Sequence, residues 1–145
     1  MDELSSFRES LAELMSEKDL THISLGDKIG VANPTVHGWK AGKHSISLSN
    51  ALKLADYFNC SLEFLMGKTE VRLSYTPKKC PPFYERLKAV MAENKISWYR
   101  IVKDMAISNG NITKWKKGAD PFVDTLLNLA AYFDCMLDYL VGRDS

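Results

Sequence analysis

The chain has 145 residues, 26% charged and 46% hydrophobic, with a formal net charge of +1, a balance that excludes any large unspecific pull toward polyanions. No stretch nears the roughly 20 apolar residues of a membrane span, and the start MDELSSFRES lacks the basic and apolar runs of a signal peptide. Three cysteines without CxxC spacing fit reduced thiols, so the sequence reads as soluble and cytoplasmic, without a metal or disulfide framework.

The first predicted helix carries Phe7, Leu11, Leu14 and Met15 at i, i+4, i+7 and i+8, the stripe of an amphipathic helix, and Ser6 with Glu9 has capping-box spacing at its start. A second helix is predicted from Thr21, whose hydroxyl can cap, through Leu25 and Ile29, and it breaks at Gly30-Val31. A third starts at Asn33-Pro34, with Asn33 as N-cap and Pro34 at the first helical position in place of the poor cap Ala32, and ends at Gly42. Two short helices joined by a tight turn make a helix-turn-helix. LSNALKLADYF and SLEFLMG supply two more helices, the last ended by Gly67.

The segment 69–82, TEVRLSYTPKKCPP, follows as a linker. Val71, Leu73 and Tyr75 alternate within it, a pattern for a short extended stretch, and Lys78 and Lys79 are a candidate DNA-contacting arm. From Phe83 the order of elements returns. Pro82 precedes a stripe of Phe83, Leu87, Val90 and Met91; Ser97 opens a helix through Ile101 and Met105; the break is Ala106-Ile107; Ser108-Asn109 starts a helix ending at Gly118. VDTLLNLAAYF and MLDYLVG close the copy. An offset of 76 superposes Trp39 on Trp115 and one of 75 superposes Cys60 on Cys135, so the chain holds two copies of one small domain, 1–68 and 83–145. Ala106 is disfavoured by roughly 1–2 kcal/mol relative to Gly if the turn needs φ > 0, and Met136, where the first copy has Ser61, removes a cap. Trp39, Trp115, Cys60 and Cys135 read as core residues.

On IGVANPTVHGWKAG with LADYFNCSLEFLMG, and on MAISNGNITKWKKG with LAAYFDCMLDYLVG, both copies resemble the phage repressor and Cro-type helix-turn-helix family, also called XRE-like. The resemblance implies an all-α protein of two five-helix lambda-repressor-like domains that binds double-stranded DNA through the third helix of each. Carried over residue by residue, it places Asn109, Gly110, Thr113 and Lys114 at base edges, and Asn111 and Lys117 near phosphates. In the first copy the corresponding DNA-binding set is Asn33, Thr35 and His37, with Lys43 beside them. At the start of the second helix, where the family anchors a phosphate, the chain has His22 and Trp98; for Trp98, packing against the linker or a partner domain is the alternative.

The chemistry of the second copy suits this role. An Asn carboxamide pairs bidentately with adenine, Lys reaches guanine O6 and N7, and a Thr methyl meets the thymine methyl. Arg100, Lys103, Lys114, Lys116 and Lys117 are its candidate cations. The first copy has Gly38 where the second has Lys114, and so loses one cationic reader. The reading is therefore a sequence-specific regulator that works mainly through its second domain, admits a homodimer, and uses no cofactor or small-molecule substrate. The alternative is a protein-interaction module of antitoxin-like or antirepressor-like type. HExxH, P-loop and GxSxG patterns are absent from the sequence, which points away from an enzyme.

Overall fold

The computed structural model of the chain describes residues 3–42, 45–72 and 79–143. Regular structure among them is helical throughout: α1 (Glu3–Glu17), α2 (His22–Ile29), α3 (Asn33–Lys40), α4 (Leu48–Phe58) and α5 (Leu62–Leu65), then α6 (Phe83–Asn94), α7 (Trp98–Met105), α8 (Asn109–Lys116), α9 (Val123–Phe133) and α10 (Leu137–Leu140). The protein is all-α and divides into two compact units, Met1–Pro77 and Lys78–Ser145. Leu73, Tyr75, Lys78, Lys43 and His44 lie outside the described residues.

In unit 1 the stripe of α1 is sealed: Phe7, Leu11, Leu14 and Met15 are buried, as are Leu25, Val36, Trp39, Leu54, Phe58 and Leu65. α1 packs on α3 and α5, α2 on α3 and α4, and α4 on α5. Unit 2 buries the matching set, Phe83, Leu87, Val90, Met91, Ile101, Trp115, Leu126, Phe133 and Leu140, with α6 on α8 and α10, and α9 on α10. Trp39 and Trp115 are core residues as expected, and Cys60 is buried, whereas Cys135 is only half-buried.

The caps explain most of the helix starts. Thr21 accepts from the Ser24 amide at 3.1 Å while the Ser24 hydroxyl accepts from the Thr21 amide at 2.9 Å, a complete capping box. Ser97 accepts from the Arg100 amide at 3.2 Å, and Ser61 from the Phe64 amide at 3.0 Å. Met136 makes no such bond, as its side chain dictates. Two expected caps are corrected. α1 begins at Glu3, so Ser6 lies inside the helix and is not its cap. The N-cap of α3 is Ala32, with no side-chain bond, and Asn33 is already helical; its carboxamide oxygen lies against Gly26, 3.1 Å from where a Cβ there would stand.

The turn between second and third helices needs a left-handed residue in both copies. Gly30 has φ +72 and Ala106 φ +53. For Ala this conformation is disfavoured by roughly 1–2 kcal/mol, because its Cβ crowds the following carbonyl. Ala106→Gly is therefore expected to stabilise unit 2 by about 1 kcal/mol. Gly30→Ala, with no atom within 4 Å of its added Cβ, should destabilise unit 1 by a similar amount through φ alone. Urea unfolding of the two variants checks both signs.

Candidate nucleic-acid interface

In unit 2, α8 is built to show one side and hide the other. Ser108 accepts from the Asn111 amide at 3.1 Å and starts the helix there, so Asn109 and Gly110 occupy the first turn. Trp115 is buried edge-on against Phe83 of α6, with ring centroids 5.3 Å apart, Ile107 is buried and Ile112 half-buried. Asn109, Gly110, Asn111, Thr113, Lys114 and Lys117 are all exposed. The Thr113 hydroxyl donates to the Asn109 carbonyl at 3.0 Å, which leaves its methyl as the group free to meet an apolar partner. A Cβ at Gly110 would meet only the Ser108 hydroxyl, at an ordinary 3.7 Å, so nothing in the packing of unit 2 requires glycine there.

The cations around this face differ in how free they are. Lys114, Lys116 and Lys117 are exposed, and the Lys103 ammonium stands 5.9 Å from the Tyr99 ring centroid. Arg100 is already engaged: its Nε donates to Asp104 at 3.2 Å, and the Tyr132 hydroxyl donates to the same carboxylate oxygen at 2.7 Å. The Tyr132 hydrogen bond, followed by Arg100, holds the Asp104 carboxyl below the usual range, and the same carboxylate pushes the Tyr132 phenol and the Arg100 guanidinium up. A depressed carboxyl stabilises the fold above its unfolded pKa, and that contribution is lost as pH falls through the folded value. Tyr132→Phe is expected to move the Asp104 pKa back toward the ordinary carboxylate value. Carboxyl carbon NMR titration of both proteins measures the change directly.

In unit 1 the carried-over residues are placed differently. Asn33 and Thr35 are half-buried, the former against Gly26, and His37 is exposed. The structure brings His37 to His22, with ring centroids 5.2 Å apart. The Trp98 ring stacks on Tyr84 of α6 at 5.4 Å and 7° between planes, so its ring partner belongs to its own unit and is not a linker residue.

Two features of the helix-turn-helix were not foreseen. α2 and α3 cross closely because residue 26 is Gly; a Cβ there would lie 2.6 Å from the Val31 carbonyl oxygen. Unit 2 has Val102 at the matching position, and α8 rests chiefly on α6. Comparing the two copies at this position is the signal that would have revealed it. The other is Tyr99, 71% exposed, on the first turn of α7; its counterpart Ile23 is also exposed, at 50%.

Among the described residues no helix is long and apolar enough to cross a membrane. Residues 11–65 match the family described as Helix-turn-helix, and residues 86–143 match the family described as Cro/C1-type HTH DNA-binding domain. No curated protein and no solved structure matches the chain.

Proposed function

From the premise that this chain is a tandem pair of XRE-like, Cro/C1-type helix-turn-helix domains, and so a DNA-binding regulator and not an enzyme, we propose that it reads an operator mainly through α8. The observation that carries this is the exposed surface of α8 and its C-cap, where Asn109, Gly110, Asn111, Thr113, Lys114 and Lys117 are open to solvent while Trp115 fastens the helix to the core. Asn109 pairs with adenine, Lys114 with guanine, the Thr113 methyl meets thymine, and Gly110 lets the backbone approach the groove. Asn111 and Lys117 take phosphates. α3 contributes less, because Asn33 is turned onto Gly26 and Gly38 stands where α8 has Lys114.

The linker 69–82 carries the two domains to neighbouring half-sites. Arg72 is held on unit 1 by Glu17 and the Phe58 carbonyl, and the remaining residues 73–82 span at most about 33–36 Å, comparable to the roughly 34–36 Å of one DNA turn, so one chain can imitate a repressor dimer. Selection from random duplexes followed by fluorescence anisotropy on the selected site tests the proposal. With about three phosphates met by Lys103, Lys116 and Lys117, log affinity falls with log salt at a slope of about −2.7, roughly fortyfold between 50 and 200 mM. Equal affinity for the selected site and for random DNA would defeat the reading.

A second reading is favoured for unit 1 alone. Its reading face is occupied by its own contacts, Asn33 with Gly26 and His22 with His37, which suits a helix-turn-helix that contacts protein. A partner that copurifies with the chain and is released by His37→Ala but not by operator DNA would support it.

A further inference from the structure

In unit 1 an open cleft of about 500 Å³ lies between α1 and α5, lined by Ser6, Glu9, Ser10, Glu13, Phe64 and Glu70 with their neighbours. Glu9 and Glu13 stand one helical turn apart, a spacing at which like charges destabilise a helix. Among the described residues, no ion pair engages Glu9, Glu13 or Glu70.

The second copy shows what this place in the fold accepts. Position for position, Ser10 is Arg86, Glu13 is Ala89 and Phe64 is Tyr139. The Arg86 guanidinium lies 4.7 Å from the Tyr139 ring centroid, and its Nε and Nη2 donate to the Tyr139 carbonyl at 3.1 and 2.6 Å. Unit 2 thus fills the groove between its first and last helices with its own arginine. In unit 1 the Ser10 hydroxyl takes the equivalent carbonyl, that of Phe64, at 3.1 Å, the cleft stays open, and a carboxylate, Glu13, has been added to its wall. Arg72 also stands over the Phe64 ring, at 5.8 Å, but its guanidinium is held by Glu17 at 2.9 Å and by the Phe58 carbonyl.

We propose that this cleft docks an arginine side chain presented by a basic segment of a partner protein. The guanidinium lies over the Phe64 ring and meets the Glu9 and Glu13 carboxylates, supplying from outside the group that Arg86 supplies in unit 2. Arginine suits the site better than lysine, because its planar fork bonds carboxylates bidentately and stacks on an aromatic face. The occupant is a protein segment because the group seen in the matching groove is a protein side chain, and because Thr69 and Glu70 extend the cleft beyond one guanidinium to take flanking backbone. None of the lining residues lies on α2 or α3, so docking leaves the helix-turn-helix of unit 1 uncovered.

Fluorescence anisotropy of the full chain with a labelled peptide, acetyl-Ser-Gly-Arg-Gly-Ser-amide, and with its lysine and citrulline analogues, tests this. The arginine peptide is expected to bind at least fivefold more tightly than the lysine peptide, with no binding by the citrulline one. Ser10→Arg, which installs the unit 2 arrangement, should abolish binding, and the double change Glu9→Gln, Glu13→Gln should weaken it at least tenfold while helicity stays unchanged. Equal binding of the three peptides, no binding at millimolar concentration, or wild-type affinity in both variants would overturn the proposal. Agmatine binding as tightly as the arginine peptide would overturn the assignment to a protein segment.

Discussion

Asn109→Ala is expected to weaken binding to the selected operator by about 1–3 kcal/mol, roughly 5- to 150-fold in Kd, and to relax discrimination at a single adenine. The carboxamide stands exposed in the first turn of α8, where a helix entering the major groove presents its N-terminal residues to base edges. Lys114→Ala, one turn further on, should weaken binding to a similar degree. If Lys114 reads guanine, the loss is confined to one base position; if it meets phosphate, the loss is uniform across sequences and the salt slope falls by about 0.9. Anisotropy on the operator and on single-base variants, at several salt concentrations, separates these outcomes. Asn128→Ala, exposed on α9, is the control and should bind as the parent does.

The other large effect is on folding. Trp39 is 2% exposed and Trp115 7%, each fastening a third helix to the rest of its unit. Truncating a buried Trp to Ala costs about 3–5 kcal/mol through lost burial and the cavity left behind. Units of this size hold about 3–5 kcal/mol in total, so each change should unfold its own unit. Circular dichroism of the full chain with Trp39→Ala is expected to lose about half its helical signal, with the remainder melting as one separate transition. Operator binding should survive Trp39→Ala in weakened form and vanish with Trp115→Ala. Full helicity in either variant would remove the tryptophans from that role; equal loss of binding in both would remove the priority given to α8.

Where sequence reasoning succeeded, the signal was local. A hydroxyl at Thr21, Ser61, Ser97 or Ser108 needs only the amide three residues on to act as a cap, and each does so. The apolar stripes of α1 and α6 state their buried sides directly, because 3.6-residue periodicity is a property of one segment. The same locality produced the errors. Ser6 and Glu9 have capping-box spacing, yet the helix starts three residues earlier, and the spacing inside a helix carries no capping role. Asn33 is a good cap by type, but the crossing of α2 over α3 at Gly26 offers its carboxamide a place inside the motif.

The candidate interface was legible to the same extent. The resemblance to Cro-type domains named Asn109, Gly110, Asn111, Thr113, Lys114 and Lys117, and the inward Trp115 and Ile residues leave all six exposed. Arg100 and Asp104 stand four residues apart on α7, a pairing the spacing itself offers, but the closing of that cluster by Tyr132 was not legible, since Tyr132 lies 28 residues beyond Asp104 and arrives only when α9 packs. The acidic cleft of unit 1 needs the C-terminal turn of the unit to meet α1, across a separation of 54 residues between Ser10 and Phe64.

By itself the sequence determined that this is a duplicated, all-helical chain, where most of its helices begin and end, and which helix carries polar groups of the kind that read DNA. These follow from spacing within single segments, where neighbours along the chain are neighbours in space. Tertiary structure alone decided that Tyr132 joins Arg100 and Asp104, which caps are displaced, how closely the two helices of each motif approach, and that Ser10 leaves open the groove that Arg86 closes. Those outcomes depend on side chains from distant segments meeting in a shared volume, and the identity of Ser10 or Gly26 acquires meaning only from what is packed against it.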